Sequence, residues 1–121
     1  MNEEEISSYI NVKNGNLSNY MIDSDYFLIT IKGIFLSKMV FKKHNELFEK
    51  LGIGGLFHHD SIGAKYEFYI VYSDRENSIV LDVRGQVDPN EKTKQIHEVI
   101  SLYDEIYELC TELEIFGIKV A

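Results

Sequence analysis

Apolar positions along this chain follow two different periods, and the order in which those periods alternate is the first clue to its architecture. From Tyr26 to Lys32, Phe27, Ile29 and Ile31 fall on one side of an extended backbone and Tyr26, Leu28 and Thr30 on the other. Both sides are largely apolar, which predicts an interior strand. From Ile34 to Leu51 the period changes: Leu36, Val40, Leu47 and Leu51, with Met39 and Phe48 beside them, recur at helical spacing. An amphipathic helix is expected there, closed by Gly52, with Ile53 packing back on its last turn.

Strand period returns in Lys65 to Tyr72, through Tyr66, Phe68, Ile70 and Tyr72, and in Ser78 to Arg84, through Ile79, Leu81 and Val83. The polar run Ser73 to Asn77 between them predicts an antiparallel pair. Residues Ile53 to Gly63 are rich in glycine and histidine and read as a loop, with Leu56-Phe57 as a possible short strand. Asp88-Pro89-Asn90-Glu91 supplies a cap residue, a proline at the first helical position and a glutamate able to reach back to the cap. A long helix is predicted from there, with Ile96, Val99, Ile100, Tyr103, Ile106, Tyr107, Cys110 and Leu113 as its apolar stripe, on the order of 35 Å long. Gly117 is expected to end or bend it, leaving Ile118 to Ala121 as a tail or an edge strand.

At the other end, an acidic start predicts a helical turn through Ile6, Tyr9 and Ile10. Asn14-Gly15 then suits a type I′ turn joining Ile10 to Val12 with Leu17 to Ile22 as a hairpin. Asp23-Ser24-Asp25 punctuates the chain before the next strand.

Taken together, the order is β-β-β-α-(β)-β-β-α: an α+β fold with an antiparallel sheet of about five strands and two amphipathic helices packed on one face. Omitting the first hairpin and counting Ile118 to Val120 as a strand gives the ferredoxin-like order β-α-β-β-α-β instead. At 121 residues the chain is long enough for one core and too short for two, so a single domain covering 1–121 is expected.

Composition narrows the function classes. A net charge of −8 opposes sequence-independent binding to nucleic acid, which needs lysines and arginines to displace counterions. Eight tyrosines and seven phenylalanines raise the thought of a base-stacking surface, but such surfaces interleave aromatics with basic residues, and the Lys65 to Arg84 segment offers only Lys65, Arg75 and Arg84. The longest apolar stretches fall well short of the roughly 20 residues that span a bilayer. Glu3 to Glu5 stand where a secretory signal would carry basic residues, and Cys110 has no second cysteine to pair with, so a cytoplasmic protein is expected. Frequent Ile, Asn, Lys and Tyr fit an AT-rich bacterial or phage genome.

Candidate chemistry is sparse. His58, His59 and Asp60 are weak candidates for a metal site, since adjacent residues rarely aim at one ion and the remaining histidines, His44 and His97, form no ligand spacing with them. His44 sits on the apolar stripe of the first helix and reads as a core-edge residue. Gly52-Ile53-Gly54-Gly55 follows a helix and lacks the Gly-Lys-Ser/Thr of a phosphate cradle. Cys110, mid-stripe, reads as an inert core thiol. No catalytic constellation is visible, so no enzyme activity and no cofactor are expected.

One asymmetry remains. Glu98, Asp104, Glu105, Glu108, Glu112 and Glu114 occur without a lysine or arginine between Gln95 and Ile118. Asp104, Glu108 and Glu112 are four apart and stack like charges along one ridge, at a cost of a few tenths of a kcal/mol per pair. An acidic ridge on a long helix is suited to capturing a basic surface. The leading expectation is therefore a small acidic interaction domain, an inhibitor or immunity-type protein that occludes a basic partner protein through Glu98, Asp104, Glu105, Glu108 and Glu112. Two alternatives stand beside it: a small-molecule sensor or enzyme with a pocket between sheet and helices lined by Tyr66, Tyr69, His44 and the His58 to Asp60 loop, and a homodimeric structural module.

Overall fold

A computed structural model describes residues 2–51, 57–61, 64–87 and 89–120, with the backbone alone over 49–51, 57–61, 64–68 and 116–120. Its elements run α1 (Glu3–Val12), β1 (Asn16–Ile22), β2 (Tyr26–Phe35), α2 (Lys38–Lys43), α3 (Asn45–Leu51), β3 (Phe57–Ser61), β4 (Ala64–Ser73), β5 (Ser78–Gln86) and α4 (Lys92–Val120). The five strands form one sheet in the order β1-β2-β5-β4-β3, every neighbouring pair antiparallel. The class is α+β, and helices cover one face of the sheet. On that face Phe27, Ile29 and Ile31 of β2, Ile70 of β4, and Ile79, Leu81 and Val83 of β5 meet Ile6 and Ile10 of α1, Val40 of α2, Phe48 of α3 and the apolar stripe of α4 in a single core.

The element order departs from expectation at both ends. The N-terminal segment is a ten-residue helix, not the first arm of a hairpin. Asn2 caps it by accepting from the Glu5 N–H at 2.8 Å, and Ile6 and Ile10, one turn apart, bury completely. Asn14-Gly15 ends this helix: Asn14 takes the left-handed conformation (φ 63°), its N–H bonds Asn11 O, and the Gly15 N–H bonds Ile10 O, both at 3.0 Å. That is a Schellman stop, which uses the same positive φ as a type I′ turn and so has the same Asn-Gly signature. The hairpin actually present joins β1 to β2 through Asp23, whose Oδ1 accepts from the Asp25 and Tyr26 N–H groups at 2.8 and 2.7 Å.

The expected helix over Ile34 to Leu51 is also corrected. Gly33 (φ 86°) makes a bulge, after which Ile34 and Phe35 still pair with Ile79 and Ser78 of β5. Helix then starts at Lys38 and breaks at His44 into α2 and α3, with Asn45, whose side chain competes for backbone groups, at the join. Phe41 stacks on Tyr72 of β4 at 4.3 Å and meets Phe48 at 5.6 Å, which fixes both short helices to the sheet. Within the expected Ile53 to Gly63 loop, Phe57–Ser61 is instead strand β3, paired antiparallel with β4; Leu56, the Gly52 cap and Ile53 lie outside the described residues.

At the C-terminal end, α4 starts at Lys92 after a turn through Pro89, Asn90 and Glu91, the Gln95 N–H bonding Glu91 O at 2.9 Å; the capping role expected of Asp88 lies outside the described residues. The helix runs 29 residues, through Gly117, to Val120, about 43 Å at 1.5 Å per residue. A glycine costs about 1 kcal/mol in a helix relative to alanine but does not by itself stop one. Ile118 to Val120 is therefore helix, and the ferredoxin-like order is excluded.

Candidate functional site

The two sides of α4 are chemically distinct. Ile96, Val99, Ile100, Tyr103, Ile106 and Cys110 are buried, as the apolar period predicts. On the opposite side Ser101, Glu105, Glu108, Thr111 and Glu112 are exposed, and Glu105, Glu108 and Glu112 make no ion pair with any described residue. Glu98 is half-buried on the same side.

Asp104 does not belong with them as a free charge, and here the expected ridge is corrected. Because α1 stops at Asn14, Lys13 is held over α4, and its Nζ donates to Asp104 Oδ1 at 2.7 Å. The Tyr9 hydroxyl donates to the same carboxylate at 2.8 Å. The ammonium also lies 4.9, 5.0 and 5.9 Å from the ring centres of Tyr9, Tyr107 and Tyr103. The hydrogen bond to Asp104 is the main reason the Lys13 pKa is raised, against the opposing effect of burial. An aliphatic stem with a cation inside three rings and on one carboxylate is a strap that ties α1 to α4. Glu114 is likewise engaged, accepting the Ser37 N–H at 3.0 Å where α2 begins.

Beside the strap, the α1–β1 turn, the end of β2 and α4 enclose a groove of about 240 Å³ lined by Lys13, Phe35, Tyr107, Thr111, Glu114 and Ile115. Phe35 and Ile115 are 58% and 50% exposed there. Gly33 lies at its edge, and with φ 86° and a Cβ that would stand 3.0 Å from Asn14 O the bulge requires glycine.

The face of the sheet away from the helices carries a polar row that sequence reading missed. Asn19 Nδ2 donates to Thr30 Oγ1 at 3.2 Å, and Thr30 Oγ1 donates to Asp82 Oδ1 at 3.1 Å. Asp82 pairs with Arg84, whose guanidinium lies 5.7 Å from the Tyr69 ring centre and whose pKa is raised chiefly by Asp82. Each of these residues occupies an ordinary outward position in its own strand. Only the register Asn19↔Thr30, Thr30↔Asp82, Tyr69↔Asp82 brings them together. Met21, Tyr26 and Val71 flank the row and are exposed.

The remaining candidates do not converge. His44 lies on the helix side, at the α2–α3 junction, with Nε2 buried and without a hydrogen-bond partner, whereas Tyr69 stands on the opposite face of the sheet. Those two members of the expected pocket therefore do not share a cavity; one void beneath α4, lined by Ile22, Phe27, Ile96 and Val99 among others, is about 10 Å³, and a shallow cleft between α1 and β1, lined by Glu3, Glu4, Ser7 and Tyr20 among others, is about 550 Å³. His58, His59 and Asp60 pair along β3 with Glu67, Tyr66 and Lys65, their side chains outside the described residues. Among the described residues no group of three or more His, Cys, Asp or Glu is placed to hold a metal ion. Cys110 is buried, which pushes its thiol up to about 12. No helix among the described residues is long and apolar enough to cross a membrane. No family model, no curated protein and no solved structure matches the chain.

Proposed function

We propose that this chain is a small acidic cytosolic interaction domain, an inhibitor or immunity-type protein, that occludes a basic surface of a partner protein with the outward side of α4. The observation that carries this reading is the exposed line Glu105, Glu108 and Glu112, uncompensated by any described cation, on a helix whose opposite side is buried against the sheet. Asp104 contributes through the strap, not through the docking surface. Surface carboxylates of this kind accelerate association and confer salt dependence more than they add affinity. The measurement is affinity capture at low and high salt with the wild-type chain and a Glu105→Lys, Glu108→Lys, Glu112→Lys triple variant. A basic partner should be retained by the wild type at low salt, released at high salt, and absent from the triple variant. Equal capture by both chains removes the basis of the proposal.

A homodimer is the second reading, favoured by the open sheet face, where Met21 and Val71 are 49% and 47% exposed around the side-by-side charges of Asp82 and Arg84. A face bearing both signs can pack on its own copy about a two-fold axis. Sedimentation of wild type and Val71→Lys decides it: a monomeric mass for the wild type ends this reading.

A further inference from the structure

The side chains that line the groove on α4 and those that form the acidic surface stand on neighbouring ridges of one helix. Tyr107, Thr111 and Ile115, four apart, form the ridge along the groove, and Asp104, Glu108 and Glu112, also four apart, form the next. Whatever the acids attract therefore arrives beside an apolar depression. At about 240 Å³ the depression is smaller than the roughly 300–1,000 Å³ of pockets that enclose drug-sized molecules. Its scale is that of a single inserted side chain.

Charge inside the groove has the sign a basic partner needs. Lys13 is the one cation among the lining residues, and it is already committed to Asp104 at 2.7 Å. Glu114 lies at the wall, fixed by the Ser37 N–H, and Glu108 and Glu112 stand on the next ridge of α4, exposed and without counter-ions among the described residues. Phe35 and Ile115, from β2 and α4, present exposed apolar surface within this acidic frame.

Resting on the reading of α4 as a docking side, we infer that the groove is the anchor pocket of that interface. Its occupant is a short basic segment of the partner that inserts one large apolar side chain between Phe35 and Ile115 while its flanking lysines or arginines meet Glu108 and Glu112. Apolar anchors in concave sites surrounded by charge are where interface energy concentrates, and the charges supply approach and register.

Two probe peptides test this, each with four lysines around a central residue, phenylalanine in one and serine in the other, titrated into the ¹⁵N-labelled full chain at low salt. The phenylalanine peptide should bind about tenfold tighter, the return expected from partly burying one aromatic side chain. Its shifts should centre on Asn14, Phe35, Thr111 and Ile115. Phe35→Ser, an exposed position whose folding the same spectra verify, should abolish the preference while leaving the weaker lysine-driven binding. Equal binding of the two peptides, with shifts confined to Glu105 through Glu112, overturns the anchor and leaves the acidic docking side standing. A phenylalanine preference whose shifts map to the open sheet face also overturns it. No response to either peptide removes both inferences.

Discussion

Asp104 and Glu108 are one helical turn apart on the same ridge of α4, yet the fold treats them in opposite ways. Asp104 is tied to Lys13 and Tyr9 of α1, and the Lys13 ammonium it holds lies over the rings of Tyr103 and Tyr107. Glu108, with Glu112 beyond it, faces solvent and has no such partner among the described residues. The difference comes from where α1 ends. Its Schellman stop at Asn14 leaves Lys13 in reach of position 104 and returns the chain into β1. A run of like charges is thus divided into a structural half, which holds the N-terminal helix, and a half that faces solvent.

The largest test of this division is Ile10→Ala. The side chain is fully buried beneath α1, so its truncation should cost about 2–5 kcal/mol in urea denaturation. A loss under about 1 kcal/mol would mean that α1 is not docked and that Asp104 is as free as Glu108. Lys13→Met acts on the strap itself and should cost on the order of 1 kcal/mol, less at high salt, since the pair is only partly buried. The same change at an unstrapped position should go unnoticed.

Tyr103→Phe sharpens the comparison in the opposite direction. The Tyr103 hydroxyl is buried without a hydrogen-bond partner, so its removal should raise stability by about 1 kcal/mol. Burial also holds Tyr103 and Cys110 each up at about 12, above the ordinary phenol and thiol values. A raised folded-state pKa means that this stability is complete below about pH 8.5, where the unfolded thiol is still protonated, and drains away as pH rises toward 12. Alkaline denaturation should therefore be shallower in Tyr103→Phe, with Cys110 sustaining the remainder. An unchanged slope would show that the phenol ionises equally in both states. The smallest effect belongs to Glu108→Lys, which relieves like-charge stacking with Glu112 and should gain a few tenths of a kcal/mol while weakening capture of a basic partner. Stability rising as binding falls is the signature of an acid kept for contact.

Several elements were legible from local pattern. The alternation in Tyr26 to Lys32 and the pairing of β4 with β5 across Ser73 to Asn77 are properties of neighbouring residues, and so is the apolar stripe of α4. Where local signals are degenerate, the expectation diverged. Asn-Gly serves a helix stop as well as a hairpin, because both need the same left-handed residue. Ile34 and Leu36 fit a helical spacing but serve the end of β2 and its connection, through pairing with Ile79 and the Leu36 N–H bond to Asn77 O. Nothing local announced the polar row on the open sheet face, since Asn19, Thr30, Asp82 and Tyr69 become neighbours only through register.

By itself the sequence determined the class of fold, the interior strand, the apolar stripe of the long helix and the excess of carboxylates on its other side, because periodicity and charge act over a few residues. Only the tertiary structure decided which of those carboxylates are spent on the fold and which face outward. Lys13 and Asp104 are 91 positions apart in the chain, and no local pattern encodes a contact that depends on where two helices come to rest against one sheet.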